Sequence, residues 1–153
     1  ASNGDGQDFL KYAGIIYDRD RGLLFAKNHK GDPPLHCAAR AGNSKMVSRL
    51  IDLAACEGDG RKLELLRMEN KRQETALHEA VRIGSDHIVE LLMGADSELA
   101  CFPKDGGTSP LYLAVLHDRP DIAHTLYHNS QERWASLVFW TGWAKCIACC
   151  CSS

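Results

Sequence analysis

Gly31-Asp32-Pro33-Pro34-Leu35-His36-Cys37-Ala38-Ala39-Arg40-Ala41-Gly42 is the stretch that decides the fold, because it returns twice further along the chain. It returns as Gln73-Glu74-Thr75-Ala76-Leu77-His78-Glu79-Ala80-Val81-Arg82-Ile83-Gly84 and as Gly107-Thr108-Ser109-Pro110-Leu111-Tyr112-Leu113-Ala114-Val115-Leu116-His117-Asp118. The leucines Leu35, Leu77 and Leu111 keep the register, 42 and 34 residues apart. Behind each stretch runs a second apolar pattern: Met46, Val47, Leu50, Ile51; then Ile88, Val89, Leu91, Leu92; then Ile122, Ala123, Leu126, Tyr127. Apolar residues at i, i+3 and i+4 put one buried stripe on each helix.

These units read as helix–loop–helix pairs. Pro34 and Pro110 stand where a first helical turn tolerates a missing N–H. Thr75 and Ser109 are placed to cap their helices, and Gly42 and Gly84 to end them in a left-handed conformation. Pro33 offers no capping hydroxyl, at an expected cost of about 1 kcal/mol. The small pairs Ala38-Ala39, Ala80-Val81 and Ala114-Val115 let helices approach closely. Between the first two units, Glu57–Arg67 holds the extra residues, with Gly58-Asp59-Gly60-Arg61-Lys62 expected as a polar turn before Leu63, Leu65 and Leu66.

The three stretches resemble ankyrin repeats, whose signature is T-P-L-H-x-A on a period of 33 residues. The resemblance implies an all-α ankyrin-repeat solenoid over residues 1–130, with repeats at about 28–69, 70–103 and 104–130. Residues 1–27 read as the back half of an earlier repeat. More narrowly, the stretches from Gly31, Glu74 and Phe102 are similar to plant ankyrin-repeat membrane proteins of the accelerated-cell-death type. That likeness implies a cytosolic array ahead of a transmembrane domain, acting in defence and cell-death signalling. Ala1 is not an initiator Met, and both ends read as cut.

The family also implies where contacts are made: at the hairpin tips and just before the end of each first helix. Carried over residue by residue, these are His29, Lys30, Asp32, Arg40 and Ala41; Lys71, Arg72, Glu74, Arg82 and Ile83; and Asp105, Gly106, Thr108, Leu116 and His117. Lys30, Arg40, Lys71, Arg72 and Arg82 would form a basic stripe across two repeats, which reads either as a solvated face or, more sharply, as a site for an acidic or phosphorylated segment of a protein partner. The resemblance gives Leu35, Leu77 and Leu111 a structural role, and makes His36 and His78 structural hydrogen-bonders.

Composition and motifs narrow the chemistry. The 153 residues carry 18 Lys+Arg against 20 Asp+Glu, a formal charge of −2, which argues against nucleic-acid binding driven by phosphate neutralisation. At 44% hydrophobic the chain has enough apolar surface for a core. Searching for a P-loop, a nucleophile elbow, H-E-x-x-H or an EF-hand pattern finds none in the sequence. Adjacent residues such as His36-Cys37 and His78-Glu79 point about 100° apart on a helix and make no catalytic pair. The expectation is a binding module without enzymatic activity, cofactor or metal. Seven Cys, no sequon and no signal segment point to a reducing, cytoplasmic setting for this segment.

The repeat logic stops near Ser130. Trp134, Trp140 and Trp143 follow with Cys146, Cys149, Cys150 and Cys151. Three readings compete for residues 131–153. One pairs Cys146 and Cys149 with His124 and His128 as a zinc site. A second has the terminal cysteines lipidated, making membrane contact through the tail. The preferred one is a frameshift: read one nucleotide later, the degenerate codons of Trp140–Ser153 permit G-P-D-G-Q-N-A-L-H-A-A-V-L, another repeat start. Contact with a membrane is expected only through a further C-terminal region or a lipidated tail.

Overall fold

The computed structural model describes residues 5–101 and 107–137, with side chains over 10–101 and 107–129. Among these residues the chain is all-α: α1 (Asp5–Arg19), α2 (Pro34–Arg40), α3 (Ser44–Ala55), α4 (Asp59–Arg67), α5 (Ala76–Ile83), α6 (Asp86–Ala95), α7 (Pro110–Leu116) and α8 (Pro120–Leu137). Short 3₁₀ turns lie at Arg21–Phe25 and Ser97–Cys101. The first helices α2, α5 and α7 stack on one another, and each packs on its own second helix, α3, α6 or α8. Helix α1 packs against α3, so the leading unit supplies a second helix.

The repeated leucines sit between these layers. Leu35 and Leu77 have no exposed surface, and Leu111 is partly buried against the same core. Burying each of the first two stabilises the array by about 2 kcal/mol. Val47, Leu50, Ile88, Val89, Leu92, Ile122 and Leu126 complete the core from the second helices. Small residues at Ala39, Ala80 and Ala114 have no exposed surface, consistent with close helix approach.

The helix ends follow local chemistry. Asn43 caps α3 by accepting from the Met46 N–H, and Ser109 caps α7 by accepting from the Tyr112 N–H. Gly42 and Gly84 take φ of 69° and 72°. In the third unit that position belongs to Asp118, held at φ 52°.

The extra residues of the first repeat depart from the expected polar turn, because Asp59–Arg67 is helical throughout. Gly58, at φ 117°, reverses the chain and its carbonyl accepts from the N–H groups of Arg61 and Lys62. Asp59 then complements the positive helix start, and Leu65 and Leu66 face inward. Arg61 holds Glu57 at 3.1 Å and Glu64 at 2.7 Å, which turns a glycine-rich polar stretch into a helix surface. The 3₁₀ turns at Arg21–Phe25 and Ser97–Cys101 fill the same place after α1 and α6.

Candidate protein-binding surface

Two hairpins of one design precede α2 and α5. The Asn28 side-chain oxygen accepts from the N–H groups of Lys30 and Asp32, and Asn70 accepts in the same way from Arg72 and Glu74. Each asparagine also donates its own N–H across the hairpin, to the carbonyls of Asp32 and Glu74. The turn closes through a residue at positive φ, Gly31 at 81° and Gln73 at 60°. The tips thereby present His29, Lys30, Lys71 and Arg72 to solvent. The Lys71 ammonium donates to the His29 carbonyl at 2.7 Å, bringing the two tips together.

Histidines tie one unit to the next. His36 Nε2 lies 2.8 Å from the Glu74 carbonyl oxygen, and His78 Nε2 lies 2.8 Å from that of Thr108. Thr75 engages His78 rather than acting alone: its N–H donates to Nδ1 at 2.9 Å and its hydroxyl lies 3.0 Å from the same atom. Nδ1 is then the acceptor, so the proton is on Nε2, which donates to Thr108. Burial lowers the pKa of both imidazoles, against the opposing pull of the carbonyl each one meets.

The basic stripe expected from the sequence is narrower in the folded chain. Asp32 and Glu79 are buried, and Arg40 reaches both, at 2.9 and 2.8 Å. Arg82 holds Glu74 at 2.6 Å and Glu79 at 3.1 Å. Asn70 donates to the second oxygen of Asp32 at 3.1 Å. Burial would raise the Asp32 carboxyl, but hydrogen bonds from Arg40 and Asn70 outweigh it and hold it low. Glu79 is likewise lowered, its burial offset by Arg40 and Arg82.

Asp32, Arg40, Glu79, Arg82 and Glu74 thus form one continuous ion-pair chain joining the first two repeats. Arg40 and Arg82 are committed to it and Asp32 is turned inward. The outward basic charge belongs to Lys30, Lys71 and Arg72.

At the far ends of the first helices apolar side chains are exposed. Ile83 and Leu116 are exposed at matching ends of α5 and α7, with Ala41, His117 and Thr108 also exposed. Asp105 and Gly106 lie outside the described residues. Sequence reasoning passed over Asn28 and Asn70, although their spacing of 42 equals that of Leu35 and Leu77. It also passed over Glu79, whose pairing with Arg40 links residues that only the stacked helices bring together.

A shallow cleft of about 400 Å³ opens among the second helices, lined by Lys45, Arg49, Asp52 and His87 among others. Among the described residues there is no group of three or more His, Cys, Asp or Glu side chains placed to hold a metal. No helix within them is long and apolar enough to cross a membrane.

Stacked helix pairs with hairpin tips projecting on one edge define a helical repeat protein that recognises other proteins. The chain belongs to the ankyrin-repeat family, whose three-copy model matches residues 1–96 and 53–134. It is 31% identical over 105 residues to an ankyrin repeat-containing protein of Arabidopsis thaliana, covering 67% of this chain and 19% of that protein. It is 30% identical over 111 residues to the B-cell lymphoma 3 protein of Homo sapiens, covering 72% of this chain and 23% of that one. The chain thus spans about a fifth of the length of these relatives. A solved chain from the yeast ribosomal protein Rps3 in complex with its chaperone Yar1 shares the fold, with a TM-score of 0.65 at 20% identity. The match covers 78% of this chain and 83% of that chain. As an ankyrin array the chain is a protein-interaction module.

Proposed function

We propose that the array binds a partner protein through an extended acidic or phosphorylated segment laid across the first two hairpin tips, and that it carries out no catalysis. The observation that carries this reading is the cluster of exposed Lys30, Lys71 and Arg72 on adjacent tips, with Ile83 exposed at the other end of α5. A partner with negative charge over the tips and an apolar residue over Ile83 and Leu116 matches both halves of the surface. Arg40 and Arg82 shape this surface through their ion pairs.

In the same proposal the segment works in the cytoplasm, within a longer signalling protein tethered to the plasma membrane and acting in defence or cell death. That setting is supported by the likeness of its repeat motifs to the accelerated-cell-death type of plant protein.

The test is a binding titration with acidic and phosphoserine peptides, using the chain and its Lys30→Glu/Arg72→Glu variant. Loss of about tenfold in affinity, with binding that weakens as salt is raised, is expected. Unchanged affinity in a variant with intact helicity would refute the acidic-segment reading.

A further inference from the structure

The cleft among the second helices carries charge that the fold does not use. Helix α3 packs against both α1 and α6. The cleft takes Leu10 from α1, Lys45, Arg49 and Asp52 from α3, and His87 and Leu91 from α6. On α3 these residues stand at i, i+4 and i+7, a single stripe opposite the buried Val47, Leu50 and Ile51. None of the cleft residues belongs to the hairpin tips.

Arg40, Arg61, Arg67 and Arg82 each hold a carboxylate. Arg49 is exposed and makes no ion pair among the described residues, although Asp52 follows three places on. Its guanidinium lies instead against α1, where a Cβ at Gly14 would come within 3.2 Å of Nη2. Lys45 precedes Arg49 by one helical turn, a like-charged i,i+4 pair that costs about 0.2–0.5 kcal/mol. An anion bound between the two cations offsets that cost. Leu10 and Leu91 are half-buried and give the cleft apolar walls. Its volume of about 400 Å³ is near the lower end for ligand clefts, ~300–1,000 Å³. A shallow cleft of that size suits side chains of a segment laid across it better than an enclosed small molecule.

We propose that this cleft is a second docking site, for a partner segment in which an acidic side chain neighbours a bulky apolar one. The carboxylate meets Arg49 and Lys45, and the apolar side chain lies between Leu10 and Leu91. Lys45 and Arg49 outnumber Asp52 and set the sign of the partner's charge. The cleft and the hairpin tips bind independently.

Fluorescence anisotropy tests this on the chain 1–153 carrying Lys30→Glu/Arg72→Glu, so that the tips do not contribute. The probe is a panel of labelled peptides in which a leucine or phenylalanine is flanked by glutamates. Arg49→Glu should weaken binding about tenfold, and Lys45→Glu should do the same without touching α1. Changing the peptide's glutamates to glutamine, or its apolar residue to serine, should cost as much. Lys62→Glu, the same charge change on α4, should alter affinity by less than about twofold. Circular dichroism checks that each variant keeps its helicity. No binding at about 1 mM peptide would overturn the proposal. So would equal losses from Arg49→Glu and Lys62→Glu, or binding indifferent to the apolar residue.

Discussion

Pro33 faces His36 where Thr75 faces His78, and the exchange leaves His36 Nδ1 buried without a hydrogen-bond partner. Proline supplies neither the N–H nor the hydroxyl that His78 receives. The backbone suits either residue, since Pro33 has φ −71° and ψ 166° against −91° and 172° for Thr75. An unsatisfied buried acceptor costs about 1–3 kcal/mol, and losing a proline's restriction of the unfolded chain returns roughly 0.4–1 kcal/mol of that. Pro33→Thr should therefore stabilise the array by about 1 kcal/mol, measured as a higher urea midpoint at unchanged slope.

Glu79 stands between Arg40 and Arg82 and is almost fully buried, whereas both arginines reach solvent. Removing its carboxylate leaves two guanidinium groups that water can partly satisfy. Glu79→Ala should cost about 2 kcal/mol, below the range for a fully buried pair. Glu79→Gln should cost less. In a double-mutant cycle with Arg40→Ala, near-zero coupling would show that the pair contributes nothing.

Two left-handed positions hold residues with a side chain. Gln73 at φ 60° matches Gly31, and Asp118 at φ 52° matches Gly42 and Gly84. Gln73→Gly should raise stability by up to about 1 kcal/mol, and Asp118→Gly by less, because aspartate tolerates this region better. Gly84→Ala should move the other way by about 1–2 kcal/mol, since its Cβ would also come within 2.6 Å of the Arg119 guanidinium. Denaturant midpoints of the three variants test the ordering.

Acid should act in two stages. His36 and His78 are held below their ordinary value of 6.5, so their contribution is complete above that pH and is lost as pH falls through the lower folded values. Asp32 and Glu79 are also lowered, so their contribution persists to the ordinary carboxylate range near 4 and fades below it. The urea midpoint should start to fall just below pH 6.5 and drop again under about pH 4. His36→Gln/His78→Gln should remove the first stage alone.

The repeated leucines, the second-helix stripes and the helix-ending glycines were legible because each rests on a local periodicity or a single backbone requirement. Helix α4 was not, since Gly58-Asp59-Gly60 carries a turn signal that the buried Leu65 and Leu66 override. The outward direction of Lys30 and Arg72 follows from their place in the hairpins. The inward commitment of Arg40 depends on Glu79, 39 residues away, and no local pattern announces such a partner. Asn28 and Asn70 could have been found from their spacing, had the period been followed into the loops.

Among the described residues the seam between the first two repeats is stitched at several heights. Repeat one is joined to repeat two by His36 to Glu74, Asn70 to Asp32, Lys71 to His29, Arg40 to Glu79 and Arg67 to Asp96. Across the next seam, the hydrogen bond described above is His78 to Thr108. Pulled from its two ends, such an array does not give way everywhere at once. The first two units, held by bonds at the hairpin tips, along the first helices and behind the second helices, should travel as one piece and yield together.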